Sequence, residues 1–316
     1  MKHLFYAVTL AALLVAAPLA ANADQHEAQR AVLVTGASTG IGRNITERLA
    51  AEGYFVFAGA RKDADLAELD AIDNVKAVRL DVTSQEDIDA AVETVRDEGK
   101  GLYGLINNAG VAVVGPLSQT QDSDLDFVFG VNIGGVVRVT RAFAPMIVES
   151  KGRIMTTGSI SGILSSPTLG VYSMSKHAVE AFTDSLAGEM AEHGVSVSVI
   201  EPGNYKSKIR RTTMQRAQEK MEAAGIELTE EQRARFEGTA ERELALKEPD
   251  EVSDAFMHAL FSGEPKRRYM VVPNADEAGR TIRKAVEELV QLNEWQAYSF
   301  DRDELVKMLD EALTKQ

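Results

Sequence analysis

Ala31-Val-Leu-Val-Thr35-Gly36-Ala37-Ser38-Thr39-Gly40-Ile41-Gly42 runs from a short apolar, β-branched stretch straight into three glycines and then into a helical pattern. Glycine permits tight turning and close backbone approach, and the first free N–H groups of a helix favour negative charge. A strand, this turn and a helix together form a cradle for phosphate. The spacing is GxxxGxG and not the GxGxxG of the standard dinucleotide fingerprint, so the strand-turn-helix setting carries the reading.

Working outward, short β-branched runs alternate with longer stretches of helical spacing. Strands are predicted at 31–35, 54–58, 75–80, 102–106, 152–157, 195–200 and 268–272, and helices at 41–51, 63–71, 84–97, 122–146, 171–193 and 249–261. Repeated βα units of this kind predict an α/β fold: a doubly wound, Rossmann-type parallel sheet covered by helices on both faces, in a single domain. The charged stretch 205–247 interrupts the rhythm after the sixth strand. A helical insertion there would overhang a ligand cleft. The tail from 275 onward reads as helical, with Trp295, Tyr298 and Phe300 available for packing or a subunit contact.

At the other end, residues 1–23 read as a secretory signal peptide. Lys2 is followed by an uncharged apolar run over 4–17, then Pro18 and the small-x-small site Ala21-Asn22-Ala23. Cleavage near Ala23 would leave a domain of 24–316 and an exported, periplasmic protein; an uncleaved membrane anchor is the alternative. The run is short of the ~20 residues that a spanning helix needs. With 34 Lys+Arg against 48 Asp+Glu, the net charge is −14 and the pI about 4.9, which argues against a nucleic-acid partner. The chain has no cysteine, which removes disulfides, thiolate metal sites and cysteine nucleophiles. Its five histidines show no ligand-like clustering, and no metal is called for.

Two further stretches bear chemistry. The second strand ends Ala58-Gly59-Ala60-Arg61-Lys62, where many NAD sites place an acid for the ribose hydroxyls. Arg61 in that place favours the 2′-phosphate of NADP(H), with NAD(H) as the alternative. Tyr172 and Lys176 are four residues apart, so one helix face would carry both, and an adjacent ammonium would lower the proton affinity of a phenol that otherwise titrates near ~10.

The order of these motifs resembles the short-chain dehydrogenase/reductase family in its single-domain oxidoreductase form. The matches are Thr35 to Gly42, Asp81-Val82, Asn107-Asn108-Ala109-Gly110, Asn132, Ser159, Tyr172-Ser-Met-Ser-Lys176 and Pro202-Gly203. The resemblance implies that Gly36, Ser38, Gly40 and Ile41 line the phosphates and nicotinamide ribose, that Asp81 contacts adenine, and that Asn108, Ala109 and Gly110 wall the cofactor cleft. It implies a structural role for Asn107. Ser159 would bond the reacting carbonyl, Tyr172 would exchange the proton, Lys176 would also hold ribose hydroxyls, and Asn132 would anchor a water in a proton relay. After Pro202-Gly203, Ser207 stands where the family often has threonine. Within the family, 171–201 is similar to the hydroxysteroid and retinol dehydrogenase branch. That implies an apolar alcohol or carbonyl substrate, with Ile163, Leu164 and the Met-containing insertion as its wall. A homo-oligomer is compatible with this reading. The competing reading is a cofactor-binding scaffold or redox sensor with vestigial catalysis.

Overall fold

All five residues of β1 (Ala31–Thr35) are buried, as expected of a strand covered on both faces. The computed structural model describes residues 30–314; the signal peptide read in 1–23 lies outside them. β1 pairs in parallel with β2 (Phe55–Ala60) on one side and β4 (Gly104–Asn107) on the other. The remaining strands are β3 (Val75–Arg79), β5 (Arg153–Thr157), β6 (Ser196–Pro202) and β7 (Arg268–Val271). All pairings are parallel, in the order β3-β2-β1-β4-β5-β6-β7. The chain therefore winds outward from β1 in one direction to β3 and then crosses back to continue through β4. The crevice between the carboxyl ends of β1 and β4 is the switch point at which such sheets bind ligands.

Helices α1 (Gly40–Ala51), α2 (Asp63–Asp70) and α10 (Asp250–Phe261) cover one face, where Ile45, Leu49, Leu69 and Phe256 pack against Val32, Val34, Val56 and Ile106. On the other face, α3 (Gln85–Asp97), α5 (Val136–Glu149) and α6 (Gly170–Ala191) bring Ile88, Val95, Phe143, Ile147 and Leu186 onto Leu33, Phe57, Leu105 and Ile154. Ser84 starts α3 by accepting a bond from the Asp87 N–H at 3.2 Å, a side-chain cap of the usual kind.

Most boundaries shift by one or two residues from the pattern reading, and two differences have a structural reason. β2 runs on to Ala60, because register with Arg79 of β3 holds it extended to that point. The helix expected over 122–146 is α4 (Asp122–Phe129), a π-helical turn at Gly130–Gly135 and then α5. The expected insertion is present as α7 (Ile209–Ala223), α8 (Glu230–Glu237) and α9 (Thr239–Leu244), with α8 closed by a reciprocal capping box between Thr229 and Gln232. After β7 come α11 (Ala275–Glu294) and α12 (Arg302–Thr314).

Candidate active site

Gly36 turns the chain out of β1 at φ +64°, and a Cβ there would stand 2.9 Å from the Ala109 Cα. Only glycine lets the two loops at the switch point come this close. Gly42 is as tightly held, since a Cβ would lie 2.3 Å from the carbonyl oxygen of Gly36. Thr35 ties the two loops together: its Oγ1 accepts the N–H groups of Asn108 at 2.9 Å and Ala109 at 3.0 Å. The Asn108 amide donates back to the carbonyls of Thr35 and Gly36, while its oxygen accepts from Thr157 at 3.1 Å. Asn107 is buried and donates to Thr140 at 2.8 Å, a structural placement.

The result is a cleft of about 470 Å³ that gathers every expected catalytic and cofactor-binding residue except Asn132. Gly36, Ser38, Gly40 and Ile41 form its floor where α1 begins. Thr39 makes no side-chain cap bond among the described residues, so the first amides of α1 are free to serve an anion. Arg61 and Asp81 lie together, 3.5 Å apart. Burial acts to raise the Asp81 pKa, but bonds from the Thr83 hydroxyl and N–H, with the Arg61 guanidinium, hold the carboxyl below its ordinary range. A glycine floor, an uncapped helix start and a guanidinium fit the phosphates of a dinucleotide.

Ser159 follows β5 and its hydroxyl accepts the Ser161 N–H at 3.0 Å, which fixes the rotamer. It shares the cleft with the Tyr172 phenol. One turn along α6, the Lys176 ammonium lies 5.6 Å from the centre of the Tyr172 ring and donates to the Thr157 carbonyl at 2.7 Å. Burial pushes the Tyr172 phenol above its ordinary value against the opposing pull of the Ser159 hydroxyl, so the expected lowering by Lys176 does not prevail. Burial brings Lys176 down to about 8, opposed by the Glu180 charge one turn further on.

Asn132 sits in the π turn, behind the Gly110 wall. Its side chain grips the backbone of Val111 at both N–H and C=O, at 2.9 Å each, and donates to Ser175 at 2.9 Å. Both amide hydrogens are committed, so the side chain locks the cleft wall and does not reach into the cleft. Ile163, Leu164 and the insertion's methionines do not line the cleft. Its apolar lining is Val111, Ala112, Phe127, Val131 and Ile209, and the Thr213 hydroxyl of α7 reaches the Ala112 carbonyl at 3.3 Å.

Pattern reading missed two groups. Glu277 is buried near the start of α11 and accepts both the N–H and the amide of Asn204, at 2.9 and 2.8 Å, so the tail clamps the loop after Gly203. Nothing local marks a glutamate on an exposed-looking helix for this; only the fold brings residues 204 and 277 together. The second is Glu201, buried on β6, whose carboxyl and that of Glu180 both close on the Arg268 Nε, at 3.7 and 3.1 Å. Two carboxylates crowded together repel, which favours one of them keeping its proton. Burial, then the Glu180 charge, pushes Glu201 up to about 8. A folded-state value above the unfolded one contributes stability at low pH that is lost as pH rises through about 8. Glu201→Gln, which cannot ionise and keeps the shape of the side chain, is expected to match the wild type at pH 5. At pH 9 it should melt about 2–4 °C higher, equivalent to ~1 kcal/mol. Thermal denaturation across pH checks this, and parallel melting curves would refute it.

The pattern of the family described as short chain dehydrogenase matches residues 30–233. The chain is a member of the short-chain dehydrogenase family. This short-chain dehydrogenase is 35% identical over 260 residues to the mitochondrial D-beta-hydroxybutyrate dehydrogenase of Rattus norvegicus, covering 76% of each chain. It is 33% identical over 260 residues to Retinol dehydrogenase 7 of the same species, covering 77% of this chain and 81% of that one. The solved structure of a short chain dehydrogenase/reductase from Burkholderia phymatum in complex with NAD superimposes with a TM-score of 0.71 at 25% identity, over 86% of this chain and 98% of that one. The short-chain dehydrogenase described here is thus an NAD(P)-dependent oxidoreductase acting on alcohol or carbonyl groups of small organic molecules, related to the hydroxysteroid and retinol dehydrogenase branch.

Proposed function

We propose that this short-chain dehydrogenase interconverts an alcohol and a carbonyl on an apolar small molecule with NADP(H), and that Tyr172 gives and takes the proton. The observation that carries this reading is the gathering of Ser159, Tyr172 and Lys176 in one cleft, with the Lys176 ammonium 5.6 Å from the Tyr172 ring. Bound nicotinamide would supply or accept the hydride. Negative charge then builds on the carbonyl oxygen in reduction, and the preset hydroxyls of Ser159 and Tyr172 stabilise it there. In oxidation the same phenol acts as base, helped by the ammonium beside it. Lys176 keeps its position through Thr157 and has hydrogens left for ribose hydroxyls. Asn132 acts through Val111, holding the wall against which Lys176 stands. Phe127, Val131, Ala112 and Ile209 offer the apolar surface for the substrate, in keeping with the name of the rat retinol enzyme.

A substrate screen with NADPH and NADP⁺, followed by nicotinamide absorbance, tests the activity; failure of every alcohol and carbonyl class would overturn it. Arg61 supports NADP(H) over NAD(H), because no acid closes the end of β2 and the guanidinium lines the cleft. Arg61→Ala is expected to weaken NADPH binding by about 10- to 100-fold, the loss of one charged hydrogen-bonding group. NADH binding should be nearly unchanged, and equal losses for both cofactors in fluorescence titrations would refute the assignment. Export with cleavage after Ala23 is also proposed, on residues 1–23 alone. N-terminal sequencing of the protein from fractionated cells is its test.

A further inference from the structure

The tail beyond β7 is built as an arm with an uncovered apolar side. α11 buries only Glu277 and Thr281, and α12 buries none of its described residues. On α11, Ile282, Val286, Leu289 and Val290 recur at i, i+4, i+7 and i+8, which makes one continuous stripe along the helix. Each of them is about half exposed, Val286 at 53%. Trp295 is 95% exposed at the end of the same helix, and Val306, Leu309 and Leu313 repeat an apolar spacing along α12. The turn between the helices is ordered: the Asn293 side chain bonds both the N–H and the C=O of Phe300, at 2.9 and 2.8 Å. The stripe is therefore presented by an ordered segment.

The charges beside the stripe select what covers it. At 100° per residue, Arg280, Arg283, Glu287 and Glu294 fall on the same flank, with the cations in the first half of α11 and the acids in the second. Arg280 also pairs with Asp276 at 3.1 Å, but Arg283, Glu287 and Glu294 have no ion-pair partner among the described residues. A second α11 laid antiparallel, with its two-fold axis at Val286, sets Val286 against its own copy and Ile282 against Val290. The same register brings Arg283 alongside Glu287 and Arg280 alongside Glu294, each two positions from exact opposition and so about 3 Å along the axis, within reach of these long side chains, and each pair occurs twice as a two-fold contact requires. Gly279 falls on the stripe opposite Asn293, where a missing side chain leaves room. A lipid surface is the poorer match, since 275–314 holds five basic and ten acidic residues and the whole chain is acidic.

We propose that the C-terminal arm is a subunit interface, and that α11 pairs antiparallel with α11 of a second copy of this chain about Val286. The proposal does not rest on the catalytic reading. Light scattering coupled to gel filtration of the full chain at about 10 µM gives the solution mass, and the wild type is expected to be a dimer or a larger even assembly. Val286→Glu should halve that mass with an unchanged far-ultraviolet circular dichroism spectrum, because the side chain replaced is exposed. Arg283→Glu should weaken association at least about tenfold, since it sets two acids face to face in each of two pairs. Arg283→Glu combined with Glu287→Arg should restore it, an outcome that a loss of folding cannot imitate. A photo-crosslinker at position 286 is expected to capture residues 282–290 of another copy. A monomeric wild type, an assembly indifferent to both single variants, or a double variant that fails to recover would overturn the proposal. So would flotation of the monomer with phosphatidylcholine–phosphatidylglycerol vesicles, or crosslinks from 286 to residues 4–17.

Discussion

Tyr172→Phe is expected to lower kcat by about 10³-fold, the middle of the range for a positioned acid or base, while the NADPH dissociation constant changes by less than about threefold. The substitution removes one oxygen and leaves the ring, so the packing beside Lys176 is kept. What is lost is the proton and the hydroxyl that carries it. Ser159 would still offer one hydrogen bond to the reacting oxygen, which leaves a residual rate above background. The phenol has a folded-state value above its ordinary one, so at neutral pH it stands ready as the acid, the form that carbonyl reduction needs. Reduction should therefore hold its rate through neutral pH and fall only as pH rises through the phenol's raised value, while oxidation, which needs the phenolate, should climb with pH over the same range. Steady-state kinetics in both directions, with NADPH titrated by fluorescence, check the prediction. Full activity in the phenylalanine variant would remove Tyr172 from the proton step.

Gly36→Val should abolish useful cofactor binding, with NADPH affinity falling by more than about 100-fold, or ~2.8 kcal/mol. Two effects combine. A β-branched residue is strained at φ +64°, and its Cβ would press on the Ala109 backbone at 2.9 Å, where no flexible side chain can yield. The turn must open, and in opening it pulls Thr35 away from the N–H groups of Asn108 and Ala109. The sheet beneath is bound by pairings on both sides of β1, so the variant should still fold, with a lowered melting temperature. NADPH titration alongside thermal denaturation separates the two readouts. Unaltered NADPH affinity in a folded Gly36→Val protein would mean that the turn does not cradle the dinucleotide.

The parts of the site that could be read from the sequence are those whose chemistry is local. Gly36 and Gly40 after β1, the Tyr172–Lys176 pair and Arg61 at the end of β2 each carry their meaning within a few residues, and all of them line the cleft. The alternation of strands and helices likewise predicts the parallel sheet, because crossover connections leave few other arrangements. What escaped the reading depends on contacts across the chain. Glu277 meets Asn204 over 73 positions, and Glu201 meets Glu180 across two elements. Ile163 and Leu164 are apolar in the expected place, yet Phe127, Val131 and Ile209 line the cleft, since the direction of a side chain on an irregular loop is not encoded in its polarity. The phenol's upward shift was hidden for a similar reason: spacing shows the ammonium but not the burial that outweighs it.

The π turn at Gly130–Gly135 holds one surplus residue in the cylinder that α4 and α5 together form. One residue is about 100° of helical phase, so the turn works as a rotational offset between two halves of a single rod. Phe127 before it and Val131 at its start look into the cleft; after it, Val139, Phe143 and Ile147 look into the sheet. A single-residue deletion inside 130–135 would bring the halves back into phase. One of the two faces would then be misdirected whichever half kept its seat, and Asn132 would lose its hold on Val111. The bulge lets one rod serve two differently oriented surfaces.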